Sequence, residues 1–259
     1  MPSSTPSFGE IEYWNNRFTK EDQFDWLADF ALLEPWLKKA IAETSGHGEV
    51  LHIGCGSSAL STQLRGLVDS PQQIHNVDYS PVVIERNRQR ESEMLRSLAS
   101  GIEPCRWSTL DLLSASKILD LGKSGDKYDV IIDKSTSDAI SCAEDVAVEL
   151  PYRINTINKD PSPAQKWERL YPLHILAIHL AYLARPGCRW VVLSYSDSRF
   201  SSWEDATPSG LPASNLLWEM KKHEKIEQPP DPEDMVHRPP TLHHLYILQR
   251  TDVVLDQDT

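Results

Sequence analysis

At 259 residues the chain is long enough for one domain with a substantial core and short for two. Hydrophobic residues make up 40% and charged residues 25%, the balance of a globular protein, and no run approaches the roughly 18 to 20 apolar residues of a bilayer span, so disordered and membrane classes are excluded. The formal net charge of −12 repels phosphate backbones, which excludes a nucleic-acid partner and favours a protein partner with a basic, lysine-rich surface.

The first ten residues, Met1 to Glu10, are rich in Ser and Pro and hold no apolar stretch, so they do not form a signal peptide; a cytosolic or nuclear, taken as cytoplasmic, location is expected. The four cysteines are scattered without a CxxC pair, and the nine histidines form no HExxH pattern, so no metal site is expected. His243 and His244 are adjacent, and in a strand they point to opposite faces. Nothing in the sequence bears on oligomeric state.

Short β-rich runs alternate with helical patterns, which predicts an α/β fold with a mostly parallel sheet flanked by helices. A single domain over 1–259 is expected, with cap helices in 1–45 and a doubly wound, Rossmann-like core in 46–259. The first strand, Glu49 to Ile53, runs into Gly54-Cys55-Gly56, and a helix is predicted from Ser58 to Leu67. The second strand, Ile74 to Val77, precedes Asp78-Tyr79-Ser80, where Ser80 suits an N-cap and Pro81 the first turn of a helix reaching about Leu98.

Glu103 to Ser108 reads as the third strand, and Tyr128 to Asp133, with Val130-Ile131-Ile132, as a fourth strand buried on both faces. A long helix is predicted from about Pro163 to Ala184, broken by Arg185-Pro186-Gly187, and then a fifth strand from Arg189 to Ser194. Leu216 to Ile226 and Leu245 to Gln249 follow as consecutive strands, an antiparallel pair at the end of the sheet. Pro151 to Pro163, Ser196 to Ser214 and Gln228 to Thr241 read as long loops, either lids or plain insertions. Arg86, Arg88 and Arg90 read as a solvated helix face.

The most informative segment is the glycine turn. Gly54 and Gly56 let backbone approach a ligand closely, and the helix start that follows offers free N–H donors. On its own the run Gly54 to Ala59 also satisfies a loose dinucleotide fingerprint, GxGxxA. A second station is Asp78, 24 residues after Gly54 at the end of strand two, where a carboxylate accepts from both ribose hydroxyls, unless it serves as a helix cap. Tyr79 beside it offers a flat face to adenine. The third is Asp111-Leu112 after strand three, placed to meet an adenine amino group and ring.

The runs Gly54-Cys55-Gly56-Ser57-Ser58, Val77-Asp78-Tyr79-Ser80 and Tyr128 to Ala139 resemble the class I, seven-β-strand, S-adenosylmethionine-dependent methyltransferases. More narrowly, Tyr13-Trp14-Asn15-Asn16-Arg17-Phe18 and Phe24-Asp25-Trp26-Leu27 resemble the subgroup that includes the elongation factor 1-alpha lysine methyltransferases. The similarity covers about Glu12 to Leu113, the strand-four motif and Trp218 to Arg250, and fails over Glu144 to Lys166 and Pro229 to Arg238. It implies seven strands with the last antiparallel, and S-adenosyl-L-methionine contacts at Trp14, Phe18, Trp26, Gly54, Asp78, Tyr79, Asp111, Leu112 and Lys134. Aromatic faces attract a sulfonium and close the site from water; the alternative for Trp14 and Trp26 is packing of a cap helix onto the core.

Asp133 and Asp138 flank the end of strand four, where an acceptor is expected, so either can orient or deprotonate it; Asp138 is equally placed to cap the next helix. Asp133-Lys134-Ser135-Thr136 stands where enzymes acting on planar amides and nucleobase amines carry Asp/Asn-Pro-Pro-Tyr, which argues against such acceptors. The expected function is methylation of a lysine on a cytosolic protein such as a translation elongation factor. A small-molecule methyltransferase and a non-catalytic interaction protein that binds the cofactor are the alternatives, and a nicotinamide-dependent dehydrogenase has no role for the N-terminal aromatics.

Overall fold

The computed structural model describes residues 6–44, 48–98, 101–123, 125, 127–147, 152–154, 169–204, 212–228 and 241–257. Two helices open the chain, α1 (Ile11–Lys20) and α2 (Phe30–Ala42), followed by β1 (Val50–Ile53). The helix expected after the glycine turn is short: α3 (Leu60–Gln63) gives way to a 3-10 turn over Leu64–Leu67. Next come β2 (Ile74–Asp78), α4 (Pro81–Ser97), β3 (Arg106–Thr109), α5 (Ala115–Gly122), β4 (Tyr128–Lys134) and α6 (Thr136–Ile140). The small β5 (Tyr152–Ile154) precedes α7 (Pro172–Leu183), β6 (Ala184–Ser194), α8 (Ser214–Leu217), β7 (Trp218–Gln228), β8 (Thr241–Arg250) and β9 (Leu255–Gln257).

Seven strands form one sheet in the order β3-β2-β1-β4-β6-β8-β7, and β5 pairs antiparallel with β9 in a separate ribbon. The five strands from β3 to β6 are parallel, whereas β8 runs antiparallel to both β6 and β7. Consecutive hairpin strands thus place β8 inside and β7 at the edge, as the two uninterrupted terminal runs require. Strand order reverses between β1 and β4, and ligands of such sheets bind outside the carboxyl ends of the strands at that point.

Side chains alternate between two cores. Val50, Val130, Ile132, Val191 and Leu193 pack with Leu33 and Leu37 of α2, while Leu51, Ile53, Ile131, Trp190 and Val192 pack with α7. Helix α7 is apolar on nearly every side and is buried accordingly. Its His179 is held neutral by burial, which takes its pKa down to about 4, and the ring meets the Leu112 carbonyl at 2.6 Å. A core helix thereby fixes the loop after β3.

Several boundaries differ from the sequence expectation. Strand β6 starts at Ala184, and Arg185-Pro186-Gly187 forms an irregularity in register against β4, tied down by the Arg185–Asp129 pair at 2.7 Å, in place of a break. Strand β3 starts at Arg106, and residues 163–168 of the long predicted helix lie outside the described residues. Ser80 precedes α4 with Pro81 in its first turn, but its hydroxyl donates to Asn15 Oδ1 of α1 and makes no cap. Among the described residues no helix is long and apolar enough to cross a membrane, and no group of His, Cys, Asp and Glu is arranged to hold a metal.

Candidate active site

A cavity of about 460 Å³ opens at the carboxyl ends of the strands, beneath the N-terminal segment. Of the residues expected from sequence, Trp14, Phe18, Trp26, Gly54, Gly56, Asp78, Tyr79, Asp111, Leu112, Lys134 and Asp138 line it together, and Asp133 does not.

On leaving β1 the chain takes left-handed turns at Gly54 (φ +53°) and Gly56 (φ +50°). A Cβ on Gly54 would fall 2.2 Å from Thr136 Oγ1, so this glycine is required by packing against the start of α6. Gly54→Ala is expected to destabilise the fold by about 2 kcal/mol or more, read as a lower urea midpoint, because it adds the overlap to the left-handed penalty. The two described non-glycine residues with positive φ, Leu27 and Ser135, also line the cavity; local strain of this kind gathers at binding sites.

Asp78 ends β2 with both carboxylate oxygens engaged: Gly56 N–H donates to Oδ2 at 3.0 Å and Ser80 N–H to Oδ1 at 2.9 Å. Burial pushes its pKa up to about 6, against the pull of those N–H donors. The carboxylate thus joins the glycine turn to the start of α4, and each oxygen has a second lone pair for a ligand hydroxyl. Tyr79 is half-buried, and its phenol pKa is raised by burial and by the charge of Asp78. Asp111 is exposed, with Oδ1 accepting from Leu113 N–H at 2.9 Å.

The N-terminal aromatics form a cap. Trp14 stacks on Phe18 at 5.6 Å, Trp26 meets Trp14 edge-on at 5.9 Å, and the Arg17 guanidinium lies 4.7 Å from the Trp26 ring centre. Polar contacts fasten the cap. Lys134 Nζ donates to Asp25 Oδ1 at 2.7 Å and to the Ala28 carbonyl at 3.1 Å, Ser58 Oγ donates to Asp25, and Ser57 Oγ to Glu21 at 2.9 Å. Arg86 and Arg90 reach the Glu21 carbonyl and Asp22, so two residues of the supposed solvated face hold the cap down. Lys134 is itself committed to Asp25.

The capping role considered for Asp138 falls to Asp133. Asp133 caps α6, since Oδ1 accepts from Thr136 N–H at 2.9 Å and Ser137 N–H at 3.1 Å, and its pKa is pushed up to about 6 by burial. Asp138 lies inside that helix and caps nothing; it pairs with Arg199 at 2.7 Å and accepts from Ser135, Ser194 and the Tyr195 N–H. Sequence reading missed Tyr195 and Arg199. The available signal was position, because Tyr195 directly follows the fifth strand, where ligand-facing residues of such sheets collect.

The residues present fit a nucleoside with a short cationic tail: a hydroxyl-binding acid at β2, an aromatic face next to it, and a second acid after β3. Residues 44–162 match a family model described as a methyltransferase domain. The chain is 38% identical over 146 residues to methyltransferase srdJ of Neurospora crassa, covering 55% of this chain and 58% of that one. It is 30% identical over 151 residues to EEF1A lysine methyltransferase 4 of Mus musculus (56% and 50%) and 30% over 150 residues to eEF1A lysine and N-terminal methyltransferase of Danio rerio (57% and 19%). It thus spans about half or less of these relatives' length.

Among solved structures, a SAM-dependent methyltransferase from Anabaena variabilis superposes with TM-score 0.55 at 10% identity, covering 96% of each chain. The N-methyltransferase NodS from Bradyrhizobium japonicum, in complex with S-adenosyl-L-homocysteine, superposes with TM-score 0.50 at 14% identity, covering 95% of this chain and 99% of that one. These two show the fold. Residues 44–162 thus match a methyltransferase domain, and the seven-strand sheet has the fold of these solved S-adenosylmethionine-dependent methyltransferases.

Proposed function

We propose that the chain is an S-adenosylmethionine-dependent methyltransferase that methylates a lysine side chain of a cytoplasmic protein, with elongation factor 1-alpha the first candidate, and that 1–45 acts as a cap on the 46–259 core. The reading is carried by one observation: Gly56, Asp78 and Asp111 line a single cavity closed by Trp14, Phe18 and Trp26. Asp78 binds the ribose hydroxyls, Tyr79 and Leu112 flank the adenine, Asp111 takes its amino group, and the aromatic cap faces the sulfonium and excludes water. The cofactor supplies a methyl group already activated by the sulfonium charge, so the protein has to align and desolvate the acceptor. The relatives named for elongation factor 1-alpha lysine support the acceptor class.

A lysine must shed its proton before it attacks, which costs about 4.6 kcal/mol at pH 7 from a reference pKa near 10.4. Asp138 is saturated by Arg199 and by Ser135, Ser194 and the Tyr195 N–H, and Asp133 is spent on α6. Among the described residues lining the cavity, no carboxylate at this end is left to act as general base, so the proton leaves to solvent. At saturating cofactor, the expected kcat/KM for the acceptor rises about tenfold per pH unit between pH 7 and 9; a profile that is flat over that range would point to a carboxylate base.

Incubation with labelled cofactor and whole-cell lysate tests the function. A labelled protein band supports the lysine reading, label in the small-molecule fraction transfers the assignment to a small-molecule acceptor, and no label with intact cofactor binding leaves an interaction protein.

A further inference from the structure

The cavity has a wall that the adenosyl contacts leave unused. Those contacts come from β1, β2 and the loop after β3, on one side of the reversal in strand order, whereas Tyr195 enters from the end of β6 on the other. With the adenosyl group placed as proposed above, its side is the part of the cavity left for an acceptor. Tyr195 is 56% exposed, yet the groups that hold it are buried: Arg199 is 9% exposed and Asp138 is 3% exposed.

The support is specific. The Arg199 guanidinium lies 5.4 Å from the centre of the Tyr195 ring, and Asp138 both pairs with Arg199 and accepts the Tyr195 N–H at 3.2 Å. Ser135, held in a left-handed conformation, donates to the same carboxylate at 3.1 Å. A buried ion pair adds little stability over apolar packing of the same volume, so its presence here calls for a purpose other than stability. It fixes backbone and ring of a side chain that the core does not hold. With Asp138 neutralised, this end of the cavity recognises an acceptor by shape and by an aromatic face.

We propose that Tyr195 is the acceptor-specificity residue, its ring forming the wall on which the aliphatic stem of a primary amine, a lysine side chain, is laid, with Arg199 and Asp138 as positioning residues behind it. The inference rests on the methyltransferase reading. An alkyl stem and its polar head both gain from an aromatic face, which binds either the hydrocarbon or residual positive charge.

The test needs no identified acceptor. Calorimetry compares S-adenosylhomocysteine with an adenosyl probe bearing a four-carbon aminoalkyl chain where the transferable methyl group would sit. The wild-type protein is expected to bind the aminoalkyl probe about tenfold or more tighter than S-adenosylhomocysteine. Tyr195→Ala should erase that gain while its S-adenosylhomocysteine affinity stays within about twofold, and Tyr195→Phe should keep most of the gain. Equal affinity of the two ligands for the wild-type protein, a gain that survives Tyr195→Ala, or a parallel loss of both ligands overturns the proposal. If the wild-type protein binds neither ligand, the methyltransferase reading itself fails, which is a separate outcome from the other three.

Discussion

Asp78→Ala is expected to weaken S-adenosylhomocysteine binding by about 100-fold or more, since a carboxylate accepting two ribose hydroxyls loses two charge-assisted hydrogen bonds. It also strands the Gly56 and Ser80 N–H groups that Asp78 accepts, so the melting temperature should fall as well. Asp78→Asn keeps an acceptor for one of the two backbone N–H groups and removes the charge, so its melting temperature should lie between those of the wild type and Asp78→Ala while its ligand affinity stays low. The wild-type protein carries an independent signature. Burial raises the Asp78 pKa to about 6, while ribose hydroxyls favour the charged form, so ligand must expel the proton. The apparent dissociation constant should therefore be about tenfold weaker at pH 5 than at pH 7. For folding alone the sign is opposite. A carboxylate whose folded pKa lies above its unfolded value contributes stability below the unfolded value, and this is lost as pH rises through about 6. A ligand affinity that is flat from pH 5 to 7 would remove Asp78 from the ribose contact.

What could be read in the chain was local. Apolar runs such as Val130-Ile131-Ile132 announce buried strands because both faces of the sheet are covered, and the terminal hairpin follows from two strands without an intervening helix. The glycine turn and Asp78 were legible because strand ends and turns fix where backbone meets a ligand. What could not be read depends on partners far apart in sequence. Lys134 finds Asp25 109 positions away, Arg86 finds Glu21 65 positions away, and Ser80 leaves its expected cap for Asn15, also 65 positions away. That Asp133 and not Asp138 caps α6 has a different cause. Two acids five residues apart around a tight turn satisfy the same pattern, and the left-handed Ser135 decides which of them faces the free N–H groups of α6.

Lys134→Met should loosen the cap and weaken S-adenosylhomocysteine binding by about tenfold or more, through Asp25 and with no need for a direct cofactor contact. The Lys134 side chain is 4% exposed and holds Asp25 and the Ala28 carbonyl, so its removal leaves an acid with only Ser58 and Ala59 and a carbonyl without its donor. Removing one member of a buried pair is far more costly than removing both. Asp25→Asn in the Lys134→Met background should thus cost less than the sum of the single changes, and the shortfall measures the latch. Two of the eight tryptophans, Trp14 and Trp26, sit in the fastened segment, so the cap-specific signal is the part of the fluorescence shift that disappears when both are replaced by phenylalanine. Acid separates this latch from Asp78. Burial opposes ionisation of Asp25, but hydrogen bonds from Lys134 and Ser58 prevail and hold its pKa below the ordinary carboxylate value. The latch contributes above the unfolded pKa and is lost only as pH falls through the still lower folded value. At pH 5 the cap fluorescence should therefore be unchanged while ligand affinity has already dropped. Concurrent loss of both at pH 5 would mean that the cap, and not the ribose acid, sets the acid limit of binding.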